Sequence, residues 1–192
     1  MTHTDAAPTR RVFFALWPSA DERHALARAA HQAAAASGGR PVPEASLHAT
    51  LAFLGSVPEA RLAELGAIAR RVAGEFAAAA RPPPWRFETL AHWARPRVLV
   101  ALAREEPRAQ ALAARLKDLA AATGFRPDLK LFHAHVTVAR KVVHASAAVP
   151  RLRPVEWRCD AFALIDSRSE AAGPVYSVVE SYLLVSAADG TR

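Results

Sequence analysis

Apolar positions in this chain follow two rhythms. Short runs dense in Val, Leu and Phe predict strands at Arg11 to Trp17, His48 to Leu54, Trp85 to Ala91, Arg97 to Ala103 and Leu131 to Ala139. Two longer apolar segments, Val155 to Ile165 and Val175 to Val185, predict a closing pair joined by the turn SRSEAAGP. Between the strands, apolar residues recur at helical spacing. Ser19 is placed to cap a helix from Ala20 to Ala36, and Gly38-Gly39 ends it. Pro58 is expected to open a second helix reaching Ala79, with Leu62, Leu65, Ile68 and Val72 on one face. A third runs from Pro107 to Ala122, carries Leu112, Leu116 and Leu119 on one side, and stops at Gly124. Arg81-Pro82-Pro83-Pro84 reads as a rigid connection, and Ala94-Arg95-Pro96 as a turn. The predicted order is β-α-β-α-β-β-α-β-β-β.

Composition bounds this picture. At 192 residues and 52% hydrophobic, the chain carries enough apolar surface for a real core. Residues 10–187 are read as one two-lobed domain, residues 1–9 as a disordered N-terminus and 188–192 as a tail. The net charge of +7 favours polyanionic partners over acidic ones, discounted for a general abundance of arginine. The single Cys159 excludes an internal disulfide and a multi-thiolate metal site. No apolar run is long enough for a membrane helix, and MTHTDAAPTRR lacks a signal-peptide core. A cytoplasmic monomer without membrane association is the expectation.

The chemistry lies in a repeated tripeptide. His48-Ala49-Thr50 and His135-Val136-Thr137 both sit in predicted strands, 87 positions apart. Random placement of eight His and eight Thr yields roughly a third of one such tripeptide in this length. On a strand, residues i and i+2 share a face. Each copy therefore sets an imidazole beside a hydroxyl, and the interval suggests a duplicated βαβ-type unit whose copies meet across a groove.

Imidazole titrates near neutrality, so one copy can act as base while the other acts as acid. Opening a cyclic phosphodiester with water needs both roles. Thr50 and Thr137 are placed to donate hydroxyls to phosphate oxygens, and Arg140 offers a guanidinium if the strand turns inward as it ends. Lys141 reads as a solvated strand end. His133 shares a face with His135, but without a nearby carboxylate or a fuller donor set no metal is expected. Phe14, Phe53, Trp93 and Tyr176 are aromatic residues near strand ends. Core packing is the commoner fate of such residues; Phe14 and Tyr176 are taken as candidates for stacking a nucleobase.

These residues resemble the two-histidine phosphoesterases that carry the HxTx motif, and within them the RNA 2′,3′-cyclic phosphodiesterase (2′-5′ RNA ligase-like) family. The resemblance rests on RVFFALWP, SLHATLAFLG, RPRVLVAL, FHAHVTVAR and the Ser167-Arg168 turn with the later Gly-Pro-Val-Tyr176. It departs at Ala134, Val138 and Val100, where the family usually has Pro, Leu and an aromatic residue. It implies an α+β fold of two pseudo-symmetric lobes, each an antiparallel-rich sheet with helices outside, around a central groove. It also implies His48 as proton donor, His135 as proton acceptor, and Arg140 as a substrate contact. The implied reaction opens a 2′,3′-cyclic phosphate at an RNA end to a 2′-phosphate, with no cofactor. The reverse reaction, 2′-5′ joining of RNA ends, and non-catalytic binding of an RNA end are the alternatives.

Overall fold

The run TRRVFFAL forms β1 (Thr9–Leu16), buried on both faces from Val12 onward. It is the inner partner of β3 (Ala49–Pro58) and β8 (Ala161–Glu170), and β9 (Gly173–Leu183) completes a four-stranded sheet in the order β3-β1-β8-β9. A second sheet has the order β2-β6-β5-β4-β7, formed by β2 (Arg40–Pro41), β4 (Trp85–Trp93), β5 (Val98–Ala103), β6 (His135–Arg140) and β7 (Val155–Trp157). Every pairing in both is antiparallel. The computed structural model describes residues 7–77, 84–104, 107–144, 152–171 and 173–185. Expectations for the first six residues, for Ala78 and Ala79, for Arg81 to Pro83, for Ala172 and for the C-terminal tail lie outside them.

Three helices cover the outer faces. The first, α1 (Ala20–Ala36), begins with a reciprocal cap in which Ser19 and Glu22 satisfy each other's backbone amides. It packs on β2, β6 and β7. The other two, α2 (Leu62–Ala77) and α3 (Pro107–Ala122), pack on each other and on the first sheet. One continuous core joins both sheets and all three helices. Trp157 is fully buried in it, its ring edge-on to Phe87 at 4.9 Å and its indole N–H donating to the Glu22 carbonyl at 2.9 Å.

The α+β, two-sheet architecture agrees with the expectation, and the departures have physical reasons. Pro58 ends β3 instead of opening a helix; a 3-10 turn at Glu59–Arg61 intervenes, and α2 starts at Leu62. The strand expected from Leu131 begins at His135, because Leu129 and Leu131 point into solvent, 92% and 85% exposed. The run from Val155 to Ile165 divides between sheets, β7 pairing with β4 and β8 with β1. The lobes therefore do not coincide with the halves of the chain. The C-terminal hairpin β8-β9 joins β1 and β3, and β2 crosses to the second sheet. This winding brings β3, an edge strand, against β6 of the other sheet.

Candidate active site

Each His-x-Thr copy places its histidine at the start of a motif strand or just before it, where the chain comes out of a loop. His48 Nδ1 lies 2.7 Å from the Ser46 carbonyl, and His135 Nδ1 lies 2.7 Å from the His133 carbonyl. A carbonyl only accepts, so Nδ1 carries the proton in both rings and Nε2 is the nitrogen left for chemistry. The same i−2 contact thus fixes the same tautomer twice. His48, Thr50, His135, Thr137 and Arg140 line one cleft of about 410 Å³ between the sheets. Residues 87 positions apart in sequence meet there.

Matching irregularities complete the motif strands. Ala15 pairs with Thr50 and Phe14 with Ala52, so Leu51 is an extra residue in β3. Val100 pairs with Thr137 and Leu99 with Ala139, so Val138 is an extra residue in β6. A one-residue bulge shifts the alternation of faces. Position Thr+3, which strict alternation sends to the core, is returned to the cleft. That residue is Phe53 in the first copy and Arg140 in the second, and both line the site.

Aromatic rings enclose the histidines. Trp17 stacks on His48 at 5.6 Å between centroids, Phe13 lies at 4.9 Å, and Tyr176 meets the ring edge-on at 5.0 Å. Trp93 covers His135 at 4.5 Å. Arg140 donates from Nη2 to the Tyr176 hydroxyl at 3.2 Å, linking the two sheets across the cleft. Tyr176 is where the sequence places it, beside the reactive groups. Phe14 is not: it is fully buried on the core face and packs edge-on against Phe162. Its neighbour Phe13 has the opposite parity and supplies the cleft ring. The sequence reading also misses Trp17, Arg11 and the pair Ser167 and Ser169, all lining or flanking the site. The serines' spacing of two, on a strand, is the signal available for them.

Burial is the largest influence on both imidazoles. His48 is lowered to about 4, chiefly by desolvation; its hydrogen bond to the Ser46 carbonyl opposes this, and the charges of Arg140 and His135 add to it. His135 is lowered for the same leading reason, opposed by the His133 carbonyl and aided by the His133 ring. An anion in the cleft reverses these costs, because it favours the imidazolium form. Among the described residues no three His, Cys, Asp or Glu side chains cluster as metal ligands. The donor set is instead two imidazoles, two hydroxyls and a guanidinium, which suits a phosphate group.

The sequence profile described as LigT like Phosphoesterase matches residues 16–100 and 101–176, one His-x-Thr copy in each segment. The chain belongs to the LigT-like phosphoesterase family. A protein from Thermus thermophilus named RNA 2′,3′-cyclic phosphodiesterase is 34% identical over 182 residues, spanning 91% of this chain and 90% of the relative. One of the same name from Escherichia coli is 33% identical over 146 residues, 73% of this chain and 77% of the relative. The crystal structure of Escherichia coli LigT complexed with 3′-AMP superposes with a TM-score of 0.75, at 27% identity, covering 93% of this chain and all of that one. As a LigT-like phosphoesterase, the chain keeps both copies of the motif and the arginine three residues beyond the second threonine.

Proposed function

We propose that this protein is an RNA 2′,3′-cyclic phosphodiesterase that opens the cyclic phosphate at an RNA end to a 2′-phosphomonoester. The observation that carries the reading is the convergence of two tautomer-matched His/Thr pairs and Arg140 on one cleft. The names of the relatives support the substrate class. In the reaction one Nε2 takes a proton from water as the water oxygen bonds to phosphorus. The other imidazolium gives its proton to the departing 3′ oxygen, so the P–O3′ bond breaks and the phosphate stays on O2′. Thr50, Thr137 and Arg140 hold the non-bridging oxygens, where charge concentrates. The family resemblance assigns His48 as donor and His135 as acceptor. Burial fits that order only after substrate binds, since the phosphate must raise His48 before it can carry a proton at neutral pH. No step draws on a metal or a nucleotide cofactor.

Arg140 and the wall of aromatic rings suit a nucleotide substrate, with Phe13 and Tyr176 placed to meet the sugar or base. The soluble, cytoplasmic setting is proposed on the same reading; among the described residues no helix is long and apolar enough to cross a membrane. The test is incubation with an RNA bearing a 2′,3′-cyclic end in EDTA. The expected product is a 2′-phosphate end. Folded protein that leaves the cyclic end intact would contradict the proposal, and activity restored only by added metal would contradict its mechanism.

A further inference from the structure

The cleft does not end at Arg140. A second cavity of about 300 Å³ shares Ser46, Arg140 and Tyr176 with it and extends to Arg40 and Lys141. Arg40 stands directly opposite Arg140 in the β2–β6 ladder. Directly opposed residues on antiparallel strands share a face, and like charges in that position repel. The ladder is nevertheless held tightly. A Cβ at Gly39 would lie 2.9 Å from the Arg140 carbonyl oxygen, so the two backbones approach as only glycine allows. Lys141 follows in the left-handed region, at φ 55°, which lysine rarely adopts. Among the described residues no carboxylate pairs with Arg40, Arg140 or Lys141. Glu170 is the one carboxylate among the described residues that line the cavity, leaving these a net two positive charges. Three cations lining one cavity, two of them directly opposed, next to the proposed phosphate site, describe a place for a second anion.

We propose that this cavity binds a second phosphate, the one on the 5′ oxygen of the terminal nucleoside, while the cyclic phosphate lies between the histidines. The inference rests on the reading under Proposed function and adds to it a preference for a terminal nucleoside that carries a phosphate on its 5′ oxygen over one that does not. The phosphate is either a free 5′-monoester or the diester to the preceding nucleotide; the recognising chemistry is the same. Arg40 and Lys141 hold it, and Arg140 stands between the two sites.

Calorimetric titration tests this without requiring turnover. The probes are adenosine 2′-monophosphate, adenosine 2′,5′-bisphosphate and a dinucleotide ending in a 2′-phosphate. The bisphosphate should bind about tenfold or more tighter than the monophosphate, the return for charge-assisted contacts to one more phosphate. A matching gain for the dinucleotide assigns the site to the chain's phosphodiester; a gain confined to the bisphosphate assigns it to a terminal monoester. Arg40→Gln and Lys141→Gly should each erase most of the gain and leave monophosphate affinity unchanged. Equal affinity for mono- and bisphosphate in the unaltered protein overturns the proposal, as does a gain that survives both substitutions. Turnover of a cyclic end separates the two readings. Opening without a 5′-phosphate gain refutes the second site alone, and a gain without opening refutes the enzymatic reading alone.

Discussion

The decisive residue-level fact is that both histidines spend Nδ1 on the carbonyl two residues back. Nε2 then has a fixed direction and the neutral tautomer is set, and what remains adjustable is the proton affinity. Both rings sit below the usual value in the free protein, His48 at about 4. The proposed mechanism needs one protonated and one neutral ring. The profile of kcat/KM against pH reports the free protein. Its acid limb should lie near the lower of the two values, and its alkaline limb should lie at or below the ordinary histidine value of about 6.5. The profile of kcat should lie to the alkaline side, because the bound phosphate anion raises both rings. A kcat/KM that stays flat to pH of about 8 would contradict the burial of the two rings, whichever is the acid. The pairing of His with Thr is legible from spacing alone. The parity of β1 is not: in VFFAL every residue is buried, so nothing in the hydrophobic pattern tells the core face from the cleft face. For that reason the sequence points to Phe14 where the cleft uses Phe13.

At the scale of elements, the bulges at Leu51 and Val138 do what the tripeptide cannot. They carry the residue three beyond each threonine back to the cleft, and so convert His-x-Thr into a site with an arginine. A bulge inserts one residue without a compositional mark, so strand periodicity alone does not turn Arg140 inward. The helices are easier. Ser19 with Glu22, and Gly38 after the last turn, bracket α1 by the chemistry of its ends. Pro58 misleads because proline suits the first turn of a helix and the end of an edge strand equally well. The β2–β6 junction carries a test of its own. Gly39→Ala sets a Cβ against the Arg140 carbonyl, the Ser37 hydroxyl at 3.0 Å and a Val142 methyl at 3.2 Å. It should destabilise by about 1–3 kcal/mol, as overpacking does. Gly74→Ala, in the interior of α2 with nothing within 4 Å, should stabilise by about 0.5–1 kcal/mol. Denaturant midpoints of the two variants read both signs. Equal shifts would mean that β2 is not pressed against β6 as described.

At the scale of the whole molecule, two half-sites belong to two sheets, and the chain is wound so that neither sheet is a contiguous half. The strand run Val155 to Ile165 looks continuous in sequence because both parts are apolar; only the pairing of β7 with β4 and β8 with β1 separates them. Such long-range pairing has no local signature. The duplication is visible as an interval of 87 residues. That the copies face each other is a consequence of the cross-winding, with the continuous core fixing one sheet against the other. Function then depends on the relation between the sheets as much as on either motif. The most direct measurement is a double-mutant cycle on kcat/KM with His48→Gln, His135→Gln and the pair, using an RNA with a 2′,3′-cyclic end. Each single substitution should cost on the order of 10²–10⁴-fold. If the two rings act as one acid/base unit, the double variant should lose little more than the worse single, because neither ring works without the other. Losses that multiply, or a single variant that keeps full activity, would contradict the account.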